Sequence, residues 1–337
     1  QDVVDVGAVV RTAVAERRIG FDLAQACMAT FDSERTDATQ GLLLAAHGVV
    51  AFADDARTSY ERMGALIARA EDHLERHGAW TLPVATPAPR DADGARHLAA
   101  LRRRLSAIAG FPLVLAVDDS PEAVAFARRA DLADIALQGP PTPQHAVFTK
   151  RVPSLGFDVD TYAASYRDYL ARHRGEFTPD RLPDAAARIV LDPAFGAIAA
   201  SVDGRRACDT AEVQSHDIAI ISRAAALDRY VSLPPADILV AEVHYGGFER
   251  RLLARRATDL PLLGCVILLV GAPDDALRTS LESVGADVAI ADDASEAVAI
   301  DLAWRFGGLD AVVFAATRST SALVDTLLAE SPAGGFV

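Results

Sequence analysis

The amino-acid sequence predicts an α/β protein that closes on a parallel β-α-β-α-β unit, and three observations carry that reading. Cys265–Val270 is an unbroken apolar run of strand length, as expected of a parallel strand covered on both faces. Helical and strand patterns then alternate: Ala276–Val284 and Ser295–Phe306 read as helices, Asp287–Ala291 and Ala311–Ala315 as strands. With 337 residues, 51% of them hydrophobic and 24% charged, the chain has the length and composition of two or three folded domains, not of a disordered segment.

Three regions follow from composition shifts. In 1–80, Asp5–Ala29 reads as helical from apolar residues at three-to-four spacing, and Leu42–Ala46 as a short strand ended by His47-Gly48. Asp54–His77 is a long amphipathic helix with an aspartate at its start and Gly78 at its end. Its His73 and His77 share a face at i, i+4, and their charged neighbours predict a solvated surface.

Region 81–255 opens on a proline-marked linker at 81–90. It continues as a mixed α/β and helical stretch. Leu98–Ile108, Ser120–Arg129, Asp160–Arg174 and Thr210–Leu227 read as helices. Pro112–Val117, Ile135–Leu137 and the pair Arg188–Leu191 and Ala197–Ser201 read as strands. Gly139–Pro143 reads as a second break. Region 256–337 is the parallel unit.

Charge and cysteine usage narrow the function. A net charge of −14 excludes a nucleic-acid surface, which needs basic patches, but leaves room for an anionic small substrate. No apolar run reaches membrane-spanning length, so a membrane partner is not expected. Three widely spaced cysteines and the lack of a visible secretory signal predict a reducing, cytoplasmic setting. Of the 33 basic residues, Lys150 alone is lysine. Any lysine chemistry must use it.

The C-terminal region resembles the first half of short-chain dehydrogenases. Leu262-Leu-Gly-Cys-Val-Ile-Leu-Leu-Val-Gly271-Ala, Val284-Gly-Ala-Asp-Val-Ala-Ile-Ala-Asp292 and Gly307-Gly-Leu-Asp-Ala-Val-Val-Phe-Ala-Ala-Thr317 stand at that family's glycine-turn, acidic and third-strand motifs. The resemblance implies a Rossmann-like fold and makes Gly271 and Asp292 the cofactor-binding candidates. Asp275 and Leu277 occupy the positions of the family's two later glycines. There a carboxylate repels a pyrophosphate and a side chain blocks close approach, so a working NAD(P) site is not expected. A Tyr-x-x-x-Lys pair is absent.

The N-terminal region resembles the end of a class II aldolase/adducin domain through Arg18-Ile-Gly-Phe-Asp-Leu23, Gly41-Leu-Leu-Leu-Ala-Ala-His47-Gly48 and Asp54-Asp-Ala-Arg-Thr-Ser-Tyr60. That resemblance implies a divalent metal, zinc, with His47 as one of three imidazole ligands, the other two coming from a His-x-His motif upstream of this chain. Between the two regions, Thr142-Pro-Gln-His145-Ala-Val-Phe-Thr149-Lys150-Arg-Val-Pro153 resembles the linker of bifunctional class II aldolase/short-chain dehydrogenase proteins of the rhamnulose-1-phosphate aldolase type. Asp192-Pro-Ala-Phe-Gly196 and Ala241-Glu-Val-His-Tyr245 fall at two further motifs of that family.

As a member that is N-terminally incomplete and C-terminally degenerate or truncated, the chain is expected to cleave a ketose phosphate, and homo-oligomerisation is expected by analogy. His145 and Lys150 are the candidates for binding phosphate, or for capping a break between domains. No carboxylate near them in sequence supplies a general base. The alternatives are a pseudoenzyme with a structural or oligomerisation role and an NAD(P)-dependent oxidoreductase.

Overall fold

The computed structural model describes residues 9–12, 21–44, 47–245, 247–271, 275–315 and 319–334. The first layer is small. Strands β1 (Val9–Thr12), β2 (Gly41–Leu44) and β3 (Gly48–Ala51) form one sheet in that order, joined by helix α1 (Phe21–Glu34) and followed by α2 (Ala56–Arg76). The helix expected over Asp5–Ala29 is therefore a strand and a later helix. Val9-Val10 is a β-branched pair, which favours an extended backbone. Asp55 caps α2 by accepting from the Thr58 backbone N–H at 2.9 Å. His73 on that helix is buried, not solvated, and its ring lies 4.2 Å from that of His77.

The middle of the chain builds a four-stranded sheet flanked by helices. Helix α3 (Ala92–Ala109) leads into β4 (Val114–Asp118), α4 (Pro121–Ala127), α5 (Leu132–Ala136) and α6 (Pro143–Thr149). Then follow β5 (Ser154–Leu155), α7 (Val159–His173), β6 (Ile189–Asp192), β7 (Gly196–Ser201), α8 (Gly204–Leu227), α9 (Pro235–Tyr245) and α10 (Gly247–Arg256). The sheet order is β4-β7-β6-β5, with β7 antiparallel to both neighbours and β5 parallel to β6.

The hairpin between β6 and β7 turns at Gly196, whose φ of 79° suits glycine. A side chain there would also meet the Asp118 carbonyl oxygen at 2.5 Å. One reading of this region is corrected and one is refined. Ile135–Leu137 is helical in α5, because three apolar residues hold no ladder of their own and the preceding Asp131-Leu-Ala-Asp segment favours a turn of helix. Gly139–Pro143 is the entry to α6, with Thr142 as its cap and Pro143 in the first turn.

The C-terminal region carries β8 (Val266–Val270), α11 (Asp275–Ser283), β9 (Asp287–Ala291), α12 (Glu296–Phe306), β10 (Ala311–Phe314) and α13 (Ala322–Ala329). Its three strands are parallel in the order β10-β8-β9. The central strand β8 is buried throughout, as its unbroken apolar sequence requires. No helix among the described residues is long and apolar enough to cross a membrane.

One hydrophobic core runs from α3 and β4 through α7 and β8 to α12 and α13. The two sheets are also joined by a buried ion pair. Arg102 of α3 meets Asp310, just before β10, at 2.7 Å, and it donates to the carbonyls of Leu113 and Gly264 at 2.6 and 2.9 Å. Asp310 in turn accepts from the backbone N–H of Val266 at 2.7 Å and from the Ser331 hydroxyl. All three guanidinium nitrogens and both carboxylate oxygens of the pair thus have partners, the condition under which two charges tolerate burial.

Removing one partner leaves a buried charge alone. Asp310→Ala is expected to cost about 3–5 kcal/mol of stability, and Arg102→Met with Asp310→Leu to recover most of it. Urea unfolding measures both, and a loss below ~1 kcal/mol for the single change contradicts the assignment.

Candidate functional site: a charged cavity around Lys150

Lys150 lies at the C-terminal end of α6 with φ 60° and ψ −174°. It is the one non-glycine residue with positive φ among the described residues. That conformation costs on the order of 1–3 kcal/mol for a residue with a side chain, so its surroundings must hold it. They do. The Lys150 Nζ, 5% exposed, donates to the Asp184 carbonyl at 2.6 Å, the Asp184 carboxylate at 3.2 Å and the Ala186 carbonyl at 2.8 Å, and it sits 4.9 Å from the centre of the Tyr166 ring. All three ammonium protons are used. Burial, followed by the nearby Arg188 charge, pulls the Lys150 amine down to about 8.

Asp184 is the hub of the network. Its carboxylate also accepts from the Ala186 backbone N–H at 2.8 Å and from two nitrogens of Arg188, the closer at 2.6 Å. Burial opposes its charge, but Arg188 and Lys150 outweigh that and hold the carboxyl well below the usual range. Arg188, itself buried, forks onto Glu249 of α10 with three contacts of 2.9 to 3.2 Å. Burial opposes its charge too, and Asp184 and Glu249 more than compensate. Two cations and two carboxylates thereby join the end of α6, the segment before β6, and α10.

A cavity of about 780 Å³ opens beside this network. Its walls include the first two turns of α8, with Arg205, Asp209 and Thr210, and α10, with Glu249 and Arg250. Glu242 of α9 completes one side. It is 4% exposed, accepts from the Tyr166 hydroxyl at 2.8 Å through Oε2, and leaves Oε1 without a partner. Burial pushes its carboxyl up to about 7, with the Tyr166 hydrogen bond and Lys150 working in the opposite direction. Tyr162, Tyr166 and Tyr169 line one face of α7 at i, i+4 and i+7; the Tyr162 and Tyr166 rings stack, and the Tyr169 ring lies tilted against Tyr166 at 5.4 Å.

The candidates read from sequence fall in separate places. Lys150 lines the cavity, whereas His145, five residues earlier, turns to α8, where its Nδ1 lies 2.7 Å from Asp217. The contact is a close polar approach between two largely buried side chains. Burial raises the Asp217 carboxyl, opposed by His145. The lysine and histidine therefore do not converge on one ligand.

His47 is a half-buried turn residue between β2 and β3, its imidazole pushed down by burial. Among the described residues no three His, Cys, Asp or Glu side chains come together to hold a metal. The described residues thus do not fit zinc on their own. Gly271 ends β8 with φ 97°, and Asp292 is exposed after β9; neither lines the cavity. Residues 272–274 and 316–318, part of the dehydrogenase-like motifs, lie outside the described residues.

A buried carboxyl absent from the sequence neighbourhood of Lys150 joins it in the cavity wall. Glu242 arrives from α9, 92 residues further on, and its one sequence signal was the Ala241-Glu-Val-His-Tyr245 stretch. Asp184 and Arg188 gave no signal at all.

Residues 92–252 match the family model of the second domain of class II aldolases, and so cover every element from α3 to α9 and most of α10. The match falls in the region read from sequence as connecting and supports a class II aldolase relationship there; it does not extend to 1–80, where the aldolase-like motifs lie. The chain is also 22% identical over 218 residues to the uncharacterized oxidoreductase YuxG of Bacillus subtilis (strain 168), an alignment covering 57% of this chain. It covers 31% of YuxG, so the chain spans about a third of that relative's length. No solved structure matches.

The raised Glu242 carboxyl gives a stability signature. Between about 4.5 and about 7 the folded protein keeps a proton that the unfolded chain has released, so this group's contribution is full at low pH and is lost as pH rises through that window. Glu242→Gln, which mimics the neutral form, is expected to remove that decline. Wild type should lose up to about 3 kcal/mol relative to the variant between pH 4.5 and 8. Parallel stability curves in urea would contradict a buried neutral Glu242.

Proposed function

We propose that this chain is the second-domain part of a class II aldolase-type enzyme acting on a ketose phosphate. The match of residues 92–252 to the class II aldolase second domain carries the reading, because it covers the elements that build the Lys150 cavity. Retro-aldol cleavage of a ketose phosphate needs a proton moved next to a carbonyl as the carbon–carbon bond opens. Glu242 is the cavity-wall group suited to that task, since its protonation changes near neutral pH. Lys150 is less suited to attack a carbonyl, because its three protons are held by Asp184 and Ala186; its role in this reading is to keep the wall in place. The divalent metal that class II chemistry uses in general would require ligands beyond the described residues.

Within the same proposal the dehydrogenase-like segment is silent. Asp275 opens α11 at the position where a pyrophosphate would approach, and its side chain is 91% exposed to meet it.

The natural full-length protein that carries this chain, supplied with zinc and rhamnulose 1-phosphate or a related ketose 1-phosphate, is expected to release dihydroxyacetone phosphate, followed by a coupled reductase. Glu242→Gln should slow the release by about 10²-fold or more. Absence of dihydroxyacetone phosphate from every ketose phosphate tried would sink the aldolase reading. A melting shift with millimolar NAD or NADP would sink the silent-dehydrogenase part.

A further inference from the structure

We infer that the cavity beside Lys150 binds a phosphate monoester of a small polyol, with Arg205 and Arg250 holding the phosphate and Glu242 taking a ligand hydroxyl. The volume of about 780 Å³ lies in the range of small-molecule sites. The sign of the lining is the first argument. In a chain of net charge −14, five cationic side chains face this cavity against four carboxyls.

Their pairing shows where the positive surplus lies. Lys150 and Arg188 are neutralised by Asp184 and Glu249, and Arg206 pairs with Asp203. Arg250 meets no carboxylate: it donates to the carbonyls of Arg181 and Val243. Arg205, exposed on the first turn of α8, has no polar partner among the described residues. The 24-residue α8 adds its positive end to the same wall. Two guanidiniums with planar donor forks suit a doubly charged phosphate better than a single carboxylate. Asp209, in the same wall, works against any ligand that carries a second phosphate.

The second argument is Glu242. Its Oε1 is buried without a hydrogen-bond partner in the cavity wall. A buried polar atom left unsatisfied is costly, and a ligand hydroxyl is a group that can satisfy it. The site therefore calls for an anion and a hydroxyl in one small molecule. The inference shares its cavity with the aldolase reading but does not rest on bond cleavage, so binding without turnover would refute that reading and leave this one standing.

Isothermal titration of the full chain, with no added metal, decides the matter using glycerol 3-phosphate, inorganic phosphate and glycerol as probes. Glycerol 3-phosphate is expected to bind more tightly than phosphate, and glycerol not at all. Arg205→Gln and Arg250→Gln should each weaken glycerol 3-phosphate by about tenfold. Glu242→Gln should narrow its preference over phosphate, and Arg57→Gln, on the exposed face of α2, should change nothing.

Affinities unchanged in both cavity arginine variants, or no binding of either phosphate up to ~10 mM, overturn the inference. If a variant fails to fold, hydrogen exchange on the wild-type chain still gives an answer. Saturating glycerol 3-phosphate should slow exchange in residues 204–210 and 247–253, and slowing confined to other segments contradicts the site.

Discussion

A single carboxylate, that of Asp184, is the point on which the middle of this protein depends. It lies outside every helix and strand, in the segment before β6, and it gathers the Lys150 ammonium, two nitrogens of Arg188 and the Ala186 backbone N–H. An isolated carboxylate in such a place would be neutralised or expelled, because desolvation outweighs any one interaction. Here four donors converge, and Glu249 supplies the second carboxylate against the two cations, Lys150 and Arg188. The strained backbone of Lys150 is the local consequence: α6 must end in a conformation that suits glycine so that the lysine can reach Asp184.

The cavity follows from that constraint. With Lys150, Arg188, Asp184 and Glu249 satisfied among themselves, the network forms a rigid wall, and the groups beside it keep unused valences: Arg205 and Arg250 on the cationic side, Glu242 on the acidic one. The tyrosine face of α7 excludes water from Glu242 and so makes its proton available near neutral pH. The Arg102–Asp310 pair plays a comparable structural role on the other side of the core, tying α3 to the parallel sheet. There the two charged groups are satisfied by each other and by the backbone around them.

The sequence showed the elements better than the site. The apolar run at β8, the helices α8 and α12, and the strand pair β6–β7 were legible because burial on both faces, 3.6-residue periodicity and a short glycine-ended turn each leave a local pattern. Helix α5 and strand β1 were misread, because runs of three or four apolar residues carry no period of their own. The uniqueness of Lys150 pointed to the right neighbourhood, but its partners did not show. Asp184, Arg188, Glu242 and Glu249 lie 34 to 99 residues away and are ordinary charged residues in sequence. Pairing His145 with Lys150 failed for a related reason: on the short α6 the two residues face different neighbours, Asp217 and Asp184.

Because Lys150 is the chain's one lysine, its ammonium group is a single reporter for the whole arrangement. Labelling lysine with nitrogen-15 and following the Nζ signal against pH tests the account directly. A locked, desolvated Lys150 predicts one slowly exchanging ammonium resonance that titrates near 8. A rapidly exchanging signal titrating near the ordinary ~10.4 of an exposed lysine would contradict the network, and with it the cavity wall built on Asp184.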